Sequence, residues 1–424
     1  MPSRTSVTAY LLPVDGAHGA RVTSVVSVSF SSETDTGRRS PAVPRSAPTG
    51  RAARPAAALA TALATALATA AALTAGAASA PSAAASPTAV APSTATTAPH
   101  VVQLGDSYSA GNGTGSYEER SCYRSPDNYG SQVAASIGAS YTDVACSGGV
   151  VADILEPREL GDASPKSATY PIDPAGHPDQ KTEWLRRAQN ERLCGVPSQP
   201  DFSYTYTFVA GVGVRGLYTG TVSCQLVARP QIDAVTPDTD YVFVTIGGND
   251  IGFSTIVVDC LTLRDPSSCT QALDAAAAKA PEMVDRTKAA LRAVVARSGG
   301  HAQVYLLSYP FLVNTESYGI PEGAPVYDAG AALNDLQRLG DDLQARGIAE
   351  LDAEDATTQY HFVDTVKAAW GGRVHGLDPH VVADNSKAWL VPVGTPGRDV
   401  AEFVHPTQPG WDATAGALRV AVAG

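Results

Sequence analysis

The chain is 424 residues long, 44% hydrophobic and 17% charged, with a formal net charge of −12 at neutral pH, and it is too long for one compact domain if all of it folds. Residues 1–98 hold 7 arginines and 3 acids, so the remainder holds 23 basic and 39 acidic side chains and a net charge of −16. That acidity excludes nucleic acid and anionic membrane surfaces as natural partners, and it suits a soluble protein that acts on a neutral or cationic ligand.

The first segment departs most from a globular composition. No acid lies between Asp35 and Asp106, and residues 51–100 contain 24 alanines interleaved with Thr, Ser and Pro, which leaves little to pack a core. Arg38, Arg39, Arg45, Arg51 and Arg54 precede the uncharged run Pro55–Gly76, and Ala78-Ser79-Ala80 closes that run with small residues at a signal-peptidase spacing. The expectation for residues 1–98 is a leader, a secretory signal peptide over about residues 38–80 and a Pro/Ser/Thr linker from Ser82 to Pro99. A membrane anchor is the alternative, since 22 uncharged residues can span a bilayer, but alanine and threonine are a poor match for hydrocarbon. No stable span is expected, and the protein is expected outside the cell. Signal peptides begin their chains, and methionine occurs only at positions 1 and 283. A non-methionine start at Val43 is therefore expected.

From residue 99 to 424, short β-branched runs alternate with longer segments of helical period. Strands are predicted at Val101–Leu104, Tyr141–Cys146, Tyr241–Ile246, Gln303–Tyr309 and Tyr360–Asp364, each a nearly continuous apolar run of the kind buried on both faces. Helices are predicted at Asn128–Ile137, Gln225–Val235, Thr270–Ala296, Tyr327–Glu350 and Gly410–Val422. The alternation implies βαβ units and a three-layer α/β/α sandwich around a five-stranded parallel sheet, enlarged by an insertion at about 156–223. Inside that insertion Phe202, Tyr204, Tyr206 and Phe208 alternate with Ser203, Thr205 and Thr207, followed by Gly211, Gly213 and Gly216. The pattern predicts a β-hairpin with one aromatic face, either packed on the domain for stability or, less in keeping with base expectation, serving as a flap over an apolar substrate.

The six cysteines, Cys122, Cys146, Cys194, Cys224, Cys260 and Cys269, contain no C-x-x-C pair of the zinc or thioredoxin kind. Their even number and position fit disulfides in an exported domain. Fifteen connectivities are open, and sequential pairing, which closes three local loops, is the expected one.

Chemistry is expected where candidate strands end, because ligands in open α/β sheets bind outside the carboxyl ends of the strands. Gly105-Asp106-Ser107-Tyr108-Ser109-Ala110-Gly111 follows the first strand and places Ser107 at its end. Alone, such a turn is more often just a capped turn, and a serine nucleophile requires a base within hydrogen-bond reach. Cys146-Ser147-Gly148-Gly149 follows the second strand, where Gly148 can offer a backbone N–H. Gly247-Gly248-Asn249-Asp250 follows the third, where Asn249 can offer an amide donor to an oxyanion. His405-Pro406 precedes the last helix, with Glu402 three residues earlier, and can take a proton from Ser107. His375 and His380 stand five apart in a loop context without a third ligand nearby, so surface residues are expected rather than a metal site. Neither a Gly-x-Ser-x-Gly elbow nor a His-Glu-x-x-His helix occurs.

These four segments, in order and spanning residues 105–406, resemble the blocks of the SGNH hydrolases, also called GDSL-type esterases and lipases, and among them the secreted actinobacterial (Streptomyces-type) lipases. The resemblance implies a flavodoxin-like sheet, three disulfides and a serine carboxylic ester hydrolase with no cofactor and no metal. Ser107 would attack the ester carbonyl, His405 would be the base, and the Ser107 N–H, Gly148 and Asn249 would form the oxyanion hole. The family usually carries Asp three residues before its histidine; here Glu402 stands there as the expected orienter, with a backbone carbonyl as the alternative. A monomer acting on small-molecule or lipid esters is expected. A carbohydrate acetylesterase and a non-catalytic secreted binding module on the same fold are the competing expectations.

Overall fold

The computed structural model describes residues 98–160, 166–173, 179–212, 217–356, 358–380 and 385–424. The leader, signal-peptide, linker and start-site expectations fall outside these residues, as do Gly213 and Gly216. In chain order the strands are β1 (His100–Gly105), β2 (Ser140–Asp143), β3 (Arg158–Leu160), β4 (Ser167–Pro171), β5 (Phe202–Val212), β6 (Tyr218–Ala228), β7 (Tyr241–Thr245), β8 (Gln303–Leu307), β9 (Gly319–Ile320), β10 (Tyr327–Asp328) and β11 (Tyr360–Val363). The α-helices are α1 (Ser107–Ala110), α2 (Tyr129–Ser136), α3 (Gln180–Asn190), α4 (Phe253–Ile256), α5 (Pro266–Arg297), α6 (Ala329–Asp355), α7 (Val366–Ala369) and α8 (Gln408–Ala423).

Five strands form an all-parallel sheet in the order β11-β8-β7-β1-β2. Successive strand residues point to opposite faces, and here both faces are buried. Val101, Phe243 and Tyr305 pack on one side with Tyr129 and Val133 of α2 and Ala415 and Leu418 of α8. Val102, Leu104, Val242, Val244, Val304 and Leu306 pack on the other with Met283, Leu291 and Val294 of α5 and Ile348 and Leu351 of α6. This is the three-layer arrangement that the continuous apolar runs predict. Helix starts carry side-chain caps: Asn128 accepts from Ser131 N at 2.9 Å, Asp265 from Ser268 N at 2.8 Å ahead of Pro266, and Asp328 from Ala331 N at 2.9 Å.

The second sheet occupies residues 158–228, with β6 paired antiparallel to β3, β4 and β5. The hairpin is the one predicted, with Phe202 opposite Ala228 and Val212 opposite Tyr218. The predicted helix Gln225–Val235 is not formed. Its first four residues complete β6 because β5 and β3 supply ladder partners there, and only Gln231–Ala234 turn helically, as one 3₁₀ turn. β2 also stops at Asp143, whose carboxylate accepts from Ala145 N at 2.9 Å and turns the chain. Cysteines pair sequentially as expected, 122 with 146, 194 with 224 and 260 with 269. Phe202, Leu226 and Ala228 bury the hairpin's root against the first of these pairs and Leu160. This is the stabilising role, and none of residues 202–212 lines the apolar pocket described below. No helix among the described residues is long and apolar enough to cross a membrane.

Candidate active site

Ser107 is the first residue of the one-turn helix α1, set at the carboxyl end of β1. Gly105 makes that turn with φ of +119°, and a Cβ there would lie 2.3 Å from the Thr245 carbonyl oxygen, so both conformation and space demand glycine. The buried Gln231 side chain clamps the same residue, accepting from Gly105 N at 2.7 Å and donating to Gly105 O at 2.9 Å. Asp106 caps the turn by accepting from Tyr108 N at 2.8 Å.

His405 lies in the loop before α8, and its Nε2 is 2.7 Å from Ser107 Oγ. Its Nδ1 is 2.9 Å from the Phe403 carbonyl oxygen. A carbonyl only accepts, so Nδ1 carries the proton and Nε2 is left as the acceptor for the serine hydroxyl. Burial pushes the imidazole down to about 4, against a smaller upward pull from the Phe403 carbonyl and the Glu402 charge, so the ring is neutral at neutral pH. The rings of Tyr108 and Phe253 flank it, at centroid separations of 5.0 and 6.2 Å. Val404, immediately before the histidine, is a buried β-branched residue at φ of +62°, a conformation that costs about 1–3 kcal/mol and survives only where the surroundings impose it. Its N–H donates to Val391 O at 2.8 Å, and its carbonyl accepts from the Tyr108 hydroxyl.

Glu402 does not stand behind the imidazole. Its buried carboxylate accepts from the Tyr117 hydroxyl, from Arg398 Nη1 at 3.0 Å and from Asp399 N at 2.9 Å. The expected orienter therefore belongs to the turn that carries the loop, and the Phe403 carbonyl occupies the orienting position. Arg398, four residues before Glu402, was a readable signal for that pairing. A backbone carbonyl carries no residue-type signal, so Phe403 could not be singled out.

Gly148 and Asn249 are brought to the same end of the sheet. Asn249 Nδ2 donates to Gly149 O at 2.8 Å, and Val151 N donates to Asp250 at 3.0 Å, so the segments after β2 and β7 are stitched together. An amide has two hydrogens, and one remains on Asn249. Among the described residues neither Ser107 N–H nor Gly148 N–H donates to a protein acceptor. Tyr309, which the sequence did not bring forward, joins the remaining pieces: its hydroxyl accepts from Gly248 N at 3.0 Å and donates to Asp106 at 2.5 Å. Burial raises the Asp106 carboxyl to about 7 despite these donors. His375 stacks on Trp389 and His380 faces Glu322, in separate surroundings.

An apolar pocket of about 80 Å³ adjoins this centre, lined by Gly248, Ile251, Phe253, Met283, Leu333 and Gly340 among others. Phe253 and Tyr309 belong to both, one beside His405 and the other bonded to Asp106.

The chain matches several solved structures. It is 22% identical to phospholipase A1 from Streptomyces albidoflavus NA297 (TM-score 0.49), over 76% of this chain and 99% of that one. It is 23% identical to an extracellular lipase from Streptomyces rimosus (TM-score 0.47), over 77% and 100%. It is 18% identical to a family 2 carbohydrate esterase with a carbohydrate-binding domain from Corynascus thermopiles (Myceliophthora fergusii) (TM-score 0.35), over 80% and 68%. Further matches are of the same kinds, lipases, carbohydrate esterases and a lipolytic G-D-S-L protein. No protein-family model and no curated protein matches the chain. At these identities and TM-scores the likenesses carry no function by themselves, so what the chain does has to follow from its own site.

Two outcomes are expected. Glu402→Gln keeps kcat on a p-nitrophenyl ester within about tenfold of the parent, against the roughly 10⁴-fold loss seen where a carboxylate itself orients the base, while denaturant unfolding shows a loss of about 1–3 kcal/mol. The acid limb of the kcat/KM pH profile lies below 6.5, toward the value of about 4 to which burial drives His405: activity is present above that limb and lost as pH falls through it.

Proposed function

We propose that the protein is a secreted serine carboxylic ester hydrolase of the SGNH type that cleaves acyl esters through a covalent acyl-enzyme. The observation that carries the proposal is the Ser107 Oγ to His405 Nε2 contact of 2.7 Å, with Nδ1 held by the Phe403 carbonyl. A serine is nucleophilic only with such a base at hand. In the proposed reaction the neutral His405 takes the Ser107 proton as Oγ adds to the ester carbonyl. The resulting oxyanion is met by the Ser107 and Gly148 N–H groups and the remaining Asn249 hydrogen. His405 then protonates the departing alkoxide, and a water activated by the same nitrogen releases the acid and restores the serine. No step calls on a cofactor or a metal ion.

Lipid esters, meaning acylglycerols or phospholipid acyl chains, are the proposed substrates. Support comes from the pocket beside His405, whose apolar lining suits a hydrocarbon chain better than the acetyl group of a carbohydrate acetylesterase. A non-catalytic binding module is disfavoured, since such a module has no use for a neutral buried imidazole bonded to a serine hydroxyl. Three disulfides support an oxidising, extracellular setting, and a monomer is the proposed working form.

A fluorophosphonate probe is expected to label Ser107, and Ser107→Ala to lose both the label and at least about 10⁴-fold in kcat on p-nitrophenyl butyrate; hydrolysis at the parent rate by the variant sinks the mechanism. Substrate class is tested at Gly340 on α6, where an added Cβ meets nothing within 4 Å. Gly340→Leu places four carbons in a pocket of about 80 Å³. It is expected to lower kcat/KM for octanoyl esters by about tenfold or more while sparing acetyl esters. Equal loss on both speaks for an acetylesterase.

A further inference from the structure

The segment that offers the Gly148 N–H is a four-residue turn. Gly149 N donates to Cys146 O at 2.9 Å, Gly148 has φ of +76° and Ser147 keeps a negative φ, the pattern of a type II β-turn with glycine at its third position. A type I turn over the same residues differs in two soft dihedrals, ψ of Ser147 and φ of Gly148, and the change turns the peptide between them over by about 180° while both ends stay in place. Glycine tolerates either state. The Ser147 carbonyl and the Gly148 N–H belong to that one planar trans peptide and point in opposite directions. Turning it over would exchange them, and a carbonyl would face the place where the N–H is proposed to meet the oxyanion.

Other bonds hold the edges of the turn without touching this peptide. Ser147 N donates to Cys122 O at 3.0 Å, and Asn249 Nδ2 donates to Gly149 O. One side chain reaches the peptide itself. Arg158, sent across from β3 of the second sheet, donates through Nη2 to Ser147 O at 2.8 Å, and among the described residues it is the one protein donor to that carbonyl. The same nitrogen lies 2.8 Å from Cys146 Sγ. Asp153 holds the guanidinium from the other side, 3.1 Å from Nη1, and is fixed in turn by accepting from Val150 N at 2.9 Å. The two side chains are 20 and 12% exposed, so water competes little for the bond. A charged donor makes it about twice as strong as a neutral one, and it polarises the peptide so that the N–H at the far end becomes a better donor.

We infer that Arg158 is a positioning residue that locks the Ser147–Gly148 peptide in its type II orientation and thereby aims the Gly148 N–H at the oxyanion. The inference rests on the proposed ester hydrolysis and gives the second sheet a part in it. The probe is an alkyl trifluoromethyl ketone. Ser107 Oγ adds to its carbonyl carbon, His405 takes the serine proton, and the carbonyl oxygen becomes an oxyanion, so the adduct needs the same donors as the proposed reaction. Its affinity, unlike turnover per milligram, does not depend on the fraction of chain that is folded. In the full chain, Arg158→Met is expected to lower kcat on p-nitrophenyl butyrate and inhibitor affinity by a similar factor of about 10–100, with KM within about twofold. That substitution also strands the Asp153 carboxylate, which costs stability. Adding Asp153→Asn is expected to raise the melting temperature again without restoring inhibitor affinity. Parent-like kcat and affinity in Arg158→Met, a rise in KM at constant kcat, or affinity that returns together with stability in the double variant each overturns the role. Absence of turnover in the parent chain overturns the proposed reaction and this role together, whereas turnover in the parent with any of those three results overturns the role alone.

Discussion

Parallel strands that end together leave their last carbonyls and the first N–H groups of the following turns in one place, and buried backbone groups of that kind must find partners. This chain meets the requirement with side chains sent from one strand end to the next. Gln231 satisfies both backbone groups of Gly105, Asn249 reaches Gly149, Asp250 receives Val151 N, and Tyr309 bridges Gly248 and Asp106. The proposed catalytic arrangement is what remains unsatisfied after that stitching. Among the described residues two N–H groups and one amide hydrogen stay uncommitted because the others are held in place around them, and donors fixed beforehand stabilise developing charge without reorganising.

The same economy explains the two unlike carboxylates near the histidine. Glu402 is surrounded by donors and supports the turn, whereas Asp106 is deep enough that burial outweighs its hydrogen bonds. Neither touches the imidazole. A carbonyl in that place holds the ring without adding a full negative charge, and burial keeps the imidazole neutral against the upward pull of that bond.

Much of this was legible from residue types. The five core strands are apolar on both faces, and that pattern survives in any rotamer or loop arrangement, so their positions held to within a few residues. Ser107, Gly148, Asn249 and His405 stood out because their chemistry lives in the side chain or in a glycine turn. The misreading of Gln225–Val235 as helix came from a run whose own preference is weak, so that its state was decided by β3 and β5, partners far away in sequence. Phe403 was out of reach because its contribution is a carbonyl that every residue has. Tyr309 was counted as the end of a strand, and only the folded chain shows that its hydroxyl links two segments more than a hundred residues apart.

Val404 adds a consequence of a different kind. A valine with positive φ, pinned by Tyr108 and Val391, means that the stretch carrying the base would relax elsewhere if left to itself. Its local preference runs against its working conformation, and tertiary contacts from both ends of the domain hold it there. A chain that is only partly assembled therefore carries Ser107 and His405 without the 2.7 Å contact between them.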